Sequence, residues 1–189
     1  MKKFLMFLCV ISITFCVTGI SHAVSFAGHD YVVVAFDNKS WDDATSDMLA
    51  NVGSNYHLAT ITSQAEQEFI ETLISYGEYW LGGYQESNQQ DADAEWNWVN
   101  NEGMFWDNGS LGKYANWNIN EPNDYKGRSE QYLAMWGNSR TWNDEGYLRN
   151  ITGYIAESSP VPEPSTILLM GVGLLGFVGY SRKRFCKKR

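Results

Sequence analysis

Residues 114–145 read Y-A-N-W-N-I-N-E-P-N-D-Y-K-G-R-S-E-Q-Y-L-A-M-W-G-N-S-R-T-W-N-D-E, and the reading of this stretch decides the fold. Glu121 and Asn123 flank Pro122, and an X-Pro bond is the one common site for a cis peptide, which would turn the chain here. Glu130 follows nine residues after Glu121, and the adjacent pair Asn143-Asp144 closes the set. These are five side-chain oxygen donors, three of them carboxylates. With backbone carbonyls and water they can reach the six to eight oxygens that Ca²⁺ prefers. No soft ligands compete: His29 and His57 read as isolated, and Zn²⁺ or copper is disfavoured. Each donor taken singly has a plainer reading, with Asn143-Asp144 capping a turn and Glu121 solvated.

Working outward, Tyr31 to Phe36 is β-branched and aromatic and predicts a strand. Ser40 with Asp43 forms a capping pattern for a helix whose Trp41, Ala44, Met48 and Leu49 share one face. His57 to Ile61 predicts a short strand. Ser63 with Glu66 opens a second helix with Ala65, Phe69, Ile70, Leu73 and Ile74 as its buried stripe. Beyond Gly77, short strands are expected at Tyr79 to Gly82, Trp96 to Val99, Tyr132 to Trp136 and Ile151 to Ala156. Two helices followed by strands give an α+β class with antiparallel pairing. Residues 100–131 form a long segment without periodicity, and irregular loops of that length in a small domain usually carry function. Trp106 and Trp117 flank it and read as core, with stacking on a ligand as the alternative.

The chain has 189 residues, enough for one domain with accessories, and its aromatic share of 15% against 19% charged residues indicates a folded chain. Of the 14 lysines and arginines, two stand at positions 2–3 and six at 182–189, which leaves six between residues 24 and 164 against all 22 acidic residues. A central region so acidic repels phosphate backbones, so no nucleic acid partner is expected. Lys2 and Lys3, the apolar run from Phe4 and the small residues Ser21-His22-Ala23 read as a signal peptide over 1–23. The three cysteines, Cys9, Cys16 and Cys186, lie in the two ends, so the central domain has no disulfide. At the other end Pro162-Glu163-Pro164 precedes a glycine-rich apolar stretch, read as a short membrane helix over 166–181 with a basic stop-transfer tail.

Taken in order, Ser40-Trp41, His57-Leu58-Ala59-Thr60-Ile61, Trp80-Leu81-Gly82-Gly83, Trp96-Asn97-Trp98, Tyr114-Ala115-Asn116-Trp117, Glu121-Pro122-Asn123, Trp142-Asn143-Asp144 and Gly153-Tyr154-Ile155-Ala156-Glu157 resemble the C-type lectin-like domain, here over residues 24–157. The resemblance implies two helices, short antiparallel sheets, a long irregular loop and a cis Glu121-Pro122 bond. The usual disulfides are missing; the four positions look like Met48 with Ala156 and Tyr132 with Tyr147. It also implies a Ca²⁺ site of Glu121, Asn123, Glu130, Asn143 and Asp144. The first four could also hydrogen-bond a vicinal diol of the mannose or glucose type. A second metal site near Glu86, Asp91, Asp93 and Asp124 is a further candidate. Glu130 stands one residue further from Glu121 than is typical, and Lys126 and Arg128 in that insert could recognise an acidic sugar. Residues 158–189 resemble the PEP-CTERM sorting signal, which implies an exosortase partner, transient or permanent contact with the inner membrane, and the envelope, surface or matrix of a Gram-negative bacterium. The expected activity is calcium-dependent binding of exopolysaccharide or cell-surface glycan. No enzyme is expected, because no nucleophile with a base is present and the carboxylates are engaged. The alternative is a protein-interaction or structural module in which calcium only orders the loop.

Overall fold

A computed structural model describes residues 22–86, 89–146 and 148–160. The export signal expected over 1–23 therefore lies almost wholly outside the described residues, as do Tyr147 and the C-terminal helix expected over 166–181. Among the described residues no helix is long and apolar enough to cross a membrane.

The elements run β1 (Val24–Phe26), β2 (His29–Ala35), α1 (Trp41–Asp47), β3 (Tyr56–Leu58), α2 (Gln64–Glu71), β4 (Glu78–Tyr84), β5 (Trp96–Trp98), β6 (Gly103–Trp106), β7 (Tyr132–Trp136), β8 (Trp142–Glu145) and β9 (Ile151–Ser158). The expected α+β class is what forms. The sheet follows the path β1-β2-β9-β4-β5-β6, with β3 attached to β9, and with β7 on β4 and β8 on β7. Among the described residues the strand pairs are antiparallel except β4 with β9, which runs parallel with Trp80 opposite Tyr154. That pair corrects the all-antiparallel expectation, and the intervening loop segment and hairpin supply the long crossover that parallel pairing needs.

Both caps form. Ser40 accepts from the Asp43 amide while Asp43 reaches back to the Ser40 amide. Ser63 accepts from the Glu66 amide, but the Glu66 carboxylate turns to the Thr62 amide instead, at 2.8 Å. Two side chains depart from the expected stripes. Leu49 is half exposed, because α1 gives way to a π-helical turn over Met48–Val52 that shifts the register of the face. Ala65 is exposed, and Glu66 and Gln67 take the inward positions because each finds buried hydrogen-bond partners.

The core lies on both faces of β4 and β9. One cluster packs α2 and the aromatic residues Trp96, Trp98, Phe105 and Trp142 around Leu81, Leu133 and Ile155. The other packs Ala44 and Met48 of the α1 segment on Trp80, Tyr154 and Ala156. Met48 and Ala156, the pair that the resemblance sets at a missing disulfide, share an apolar cluster. Gly82 is required by close approach, since a Cβ there would lie 2.3 Å from the Leu58 carbonyl oxygen. His29 and His57, read from sequence as isolated, both face the buried Glu157, with Nδ1 at 2.7 and 3.9 Å from its carboxylate oxygens.

Candidate functional site

The long loop is fixed on the sheet by aromatic packing and by β8. Trp117 sits edge-on to Trp96 at 4.9 Å and to Trp142 at 5.9 Å, and Trp106 packs on Trp117, so both flanking tryptophans pack against the core. Trp142 donates its amide to Asn116 and accepts from the Asn118 amide, at 2.8 and 2.9 Å. This hands the chain directly to the Glu121-Pro122 peptide, which is cis.

From there the loop closes on β8. Asp144 is fully buried, and its Oδ2 accepts the backbone N–H of Asn123 at 2.9 Å and of Asp124 at 2.7 Å. Its Oδ1 is buried with no hydrogen-bond donor. Glu130 Oε2 accepts from the Tyr125 amide at 2.7 Å, and Asp124 Oδ1 accepts from the Glu130 amide at 2.9 Å. Asn123 Nδ2 donates to Glu121 Oε2. The result is an open pocket of about 440 Å³ whose lining includes Glu121, Asn123, Glu130 and Asn143, while Asp144 is buried behind the Asn123 and Asp124 amides that it holds. Four of the five expected donors therefore face one cavity, although they come from three separate parts of the chain.

The carboxylates crowd one another. Desolvation, reinforced by the neighbouring Asp144, pushes Glu121 up to about 8. Burial pushes Glu130 to about 7 against the stabilising Tyr125 amide. Asp144 is also raised by burial, despite the two backbone amides that favour its charge. Glu121 and Asp144 crowd each other, and the charge of Asp144 adds to the rise at Glu121. Such a place suits a hard cation, which would offset the crowded charges and engage the orphaned Asp144 Oδ1. No three His, Cys, Asp or Glu among the described residues are grouped so as to hold an ion by themselves, so the donor set depends on its two asparagines.

Asn143 departs from expectation. Its Nδ2 faces Glu78 Oε1 at 3.3 Å and Glu145 Oε2 at 3.4 Å instead of being offered to a ligand, and its Oδ1 remains as the atom suited to a cation. Glu78 and Glu145 are both buried, and desolvation raises Glu78. These two acids, together with Tyr125, Trp136 and Asn150 on the pocket wall, were not singled out from sequence. The signal available was Glu145, an acid directly after the Asn143-Asp144 pair. The acids of the candidate second site are used within the loops: Asp91 Oδ1 accepts from the Asp93 amide, Asp93 Oδ1 from the Trp106 ring N–H, and Asp124 from Glu130, while Glu86 is exposed.

Known proteins place this architecture. A family profile for the lectin C-type domain matches residues 36–147, and one for the PEP-CTERM protein-sorting motif matches residues 160–184. The chain is 31% identical over 147 residues to halomucin of Haloquadratum walsbyi, covering 71% of this chain and 2% of that protein. It is 31% identical over 121 residues to human C-type mannose receptor 2, covering 63% of this chain and 7% of the receptor. The chain thus spans only a small part of these relatives. Among solved structures, the C-type carbohydrate-recognition domain of cow CD23, determined in the presence of a GlcNAc2Man3 oligosaccharide, superposes with a TM-score of 0.59 at 22% identity, covering 74% of this chain and 95% of that one. A calcium-independent type II antifreeze protein superposes at 0.50 and 21% identity, covering 75% and 98%. The chain belongs to the C-type lectin domain family and carries a PEP-CTERM protein-sorting motif behind that domain.

Proposed function

We propose that this protein is a calcium-dependent carbohydrate-binding module, exported and sorted to the cell envelope. Glu121, Asn123, Glu130, Asn143 and Asp144 would hold the ion, and a sugar diol of the mannose or glucose type would bind beside Glu121, Asn123 and Glu130. The observation that carries the reading is the pocket itself. Four of the oxygen donors line it, and Asp144, bonded to the Asn123 amide, is buried with one oxygen lacking a donor.

The donor set fits a hard divalent ion, which would supply positive charge and open coordination positions for two hydroxyl oxygens. The chain's own contribution is to position the donors. The Asn123 and Asp124 amides hold Asp144, the Tyr125 amide holds Glu130, and Glu78 with Glu145 holds the Asn143 amide. The second site at Glu86, Asp91, Asp93 and Asp124 has weaker support, since three of those acids are engaged in holding loops. The reading is of binding, not catalysis, because each carboxylate at the pocket has a structural partner.

Residues 1–23 would direct export. The matched motif at 160–184 supports processing by an exosortase at the inner membrane, with the domain delivered to exopolysaccharide or to glycans on other cells. A shallow single site of this kind corresponds to a Kd of roughly 1 mM, about −4 kcal/mol, so useful binding would come from multivalent display. The test is a glycan array probed with calcium and again with chelator. Binding to mannose- or glucose-type glycans that the chelator abolishes is expected. Equal binding in both conditions, or none in either, overturns the proposal.

A further inference from the structure

The acidic domain has few cations, and their placement is uneven. Six lysines and arginines lie between residues 24 and 164, and two of them, Lys126 and Arg128, line the pocket that holds Glu121 and Asn123. A third, Arg149, lines a second pocket of about 490 Å³ that adjoins the first, with Trp136 and Asn150 common to both. Half of the domain's positive charge therefore surrounds one pair of cavities on a surface that is otherwise strongly negative.

The loop geometry fixes these cations at the rim. Asp124, Lys126 and Gly127 all have positive φ, and the Gly127 amide donates to the Asp124 carbonyl at 2.8 Å, so the insert forms a compact turn that carries Tyr125 and Lys126 outward. The Lys126 ammonium lies 4.7 Å from the centroid of the Tyr125 ring. Between the pockets stands Trp136, half-buried at the end of β7, with the buried Glu78 carboxylate beside its indole. An indole in that position offers an apolar face of the kind on which a sugar ring rests. At the far end of the second pocket Tyr76 is 84% exposed, a large aromatic ring with no place in the core.

Resting on the carbohydrate reading above, we infer that the preferred ligand is an anionic oligosaccharide. Its terminal diol lies at Glu121 and Asn123, its carboxylate or sulfate lies against Lys126 and Arg128, and its next units cross Trp136 into the second pocket beside Arg149. The cations supply the selectivity. With a calcium ion beside the pocket carboxylates, the positive charge that Lys126 and Arg128 place on the pocket lining favours an acidic over a neutral ring, and the acidic surroundings disfavour an anion anywhere else.

The experiment uses the full protein with calcium and three mannose oligosaccharides that share one terminal unit: a neutral one, one with a uronic acid next to the terminal unit, and one with a sulfate there. Binding is read by calorimetry. The wild type is expected to bind one or both acidic forms about tenfold more tightly than the neutral one, the sum of two exposed charge contacts of about 0.7 kcal/mol each. The Lys126→Ala/Arg128→Ala protein is expected to bind all three alike, at the neutral affinity. Arg149→Ala should weaken binding of longer acidic oligosaccharides and leave a disaccharide unchanged. Comparing the uronic and sulfated forms assigns the acid group. Equal affinity for neutral and acidic forms in the wild type overturns this inference and leaves the calcium site standing. Absence of binding to all three, with calcium present, overturns the carbohydrate reading and this inference with it.

Discussion

Asp144→Asn separates the ion from the loop. Asp144 Oδ2 holds the Asn123 and Asp124 amides at 2.9 and 2.7 Å, and an asparagine carbonyl at the same place can hold both. Losing the charge weakens each of those bonds by about 1 kcal/mol, roughly 2 kcal/mol in all. Against this, the substitution removes a desolvated charge that crowds Glu121, an effect of roughly several kcal/mol per buried ion after relaxation. The calcium-free variant is therefore expected to be at least as stable as the wild type. With calcium the order reverses. At a calcium concentration a hundred times its Kd, the wild type gains about 2.7 kcal/mol, a rise in Tm of about 8 °C for a domain of this size. The variant should lose most of that rise, because the ion has exchanged its most buried carboxylate for a neutral donor. Thermal unfolding of both proteins in chelator and in 10 mM calcium reads the four values. Equal calcium-induced shifts in the two proteins would refute the assignment of Asp144 as a ligand, and so would a wild type that calcium does not shift.

Acidity offers a second test. The folded pKa values of Glu121 and Glu130, about 8 and about 7, exceed their unfolded value near 4.5, so the folded state binds more protons in that window and calcium-free stability falls as pH rises from about 5 to about 8. Calcium should flatten or invert that slope, since protons compete for the same oxygens, and denaturant midpoints across the range with and without calcium measure it. Gly82→Ala drives a Cβ to 2.3 Å from the Leu58 carbonyl oxygen, which is backbone and cannot turn aside. A loss of about 3 kcal/mol or more is expected in urea unfolding. Trp142→Phe deletes the ring N–H that donates to Gln67 Oε1 at 2.9 Å in the core. It should cost about 1 to 3 kcal/mol of stability by the same assay while leaving calcium affinity within about threefold.

Much of this architecture is legible in the sequence because short motifs encode local constraints. Ser40 with Asp43 and Ser63 specify caps that both form, and the aromatic runs at Tyr79, Trp96 and Tyr132 mark strands that all exist. β6 and β8 escaped because Gly103–Trp106 and Trp142–Glu145 are too short to show alternation, and their strand character comes from pairing with β5 and β7. The inward turn of Glu66 and Gln67 was hidden for a related reason. Their partners Tyr31, Met135 and Trp142 lie 35 to 75 residues away in the chain, so no local pattern announces a buried polar side chain. The convergence of His29 and His57 on Glu157 likewise appears only when β2 and β3 flank β9. At the site, the candidate donors can be named from the sequence but their orientation cannot. The sequence marks Asn143 as a donor, while only the fold brings Glu78 of β4 beside it and turns its amide inward.

The way the carboxylates divide their oxygens explains how a long loop can persist without the usual disulfides and still leave room for a guest. Asp144 uses Oδ2 on two loop amides and keeps Oδ1 without a donor. Glu130 uses Oε2 on the Tyr125 amide, and Glu121 uses Oε2 on Asn123. One oxygen of Asp144 and of Glu130 therefore holds the backbone and one of Glu121 holds the Asn123 side chain, and the other oxygen of each is the atom an ion would engage. Ion binding need not break the loop contacts in order to form. It would instead add charge where three acids now repel one another, and so tighten the same amides. Loop order and ligand affinity are then linked through shared atoms. A substitution that removes both oxygens of Asp144, such as Asp144→Ala, should change both, whereas one that alters only the rim, such as Lys126→Ala, should change ligand preference and leave the loop as it is.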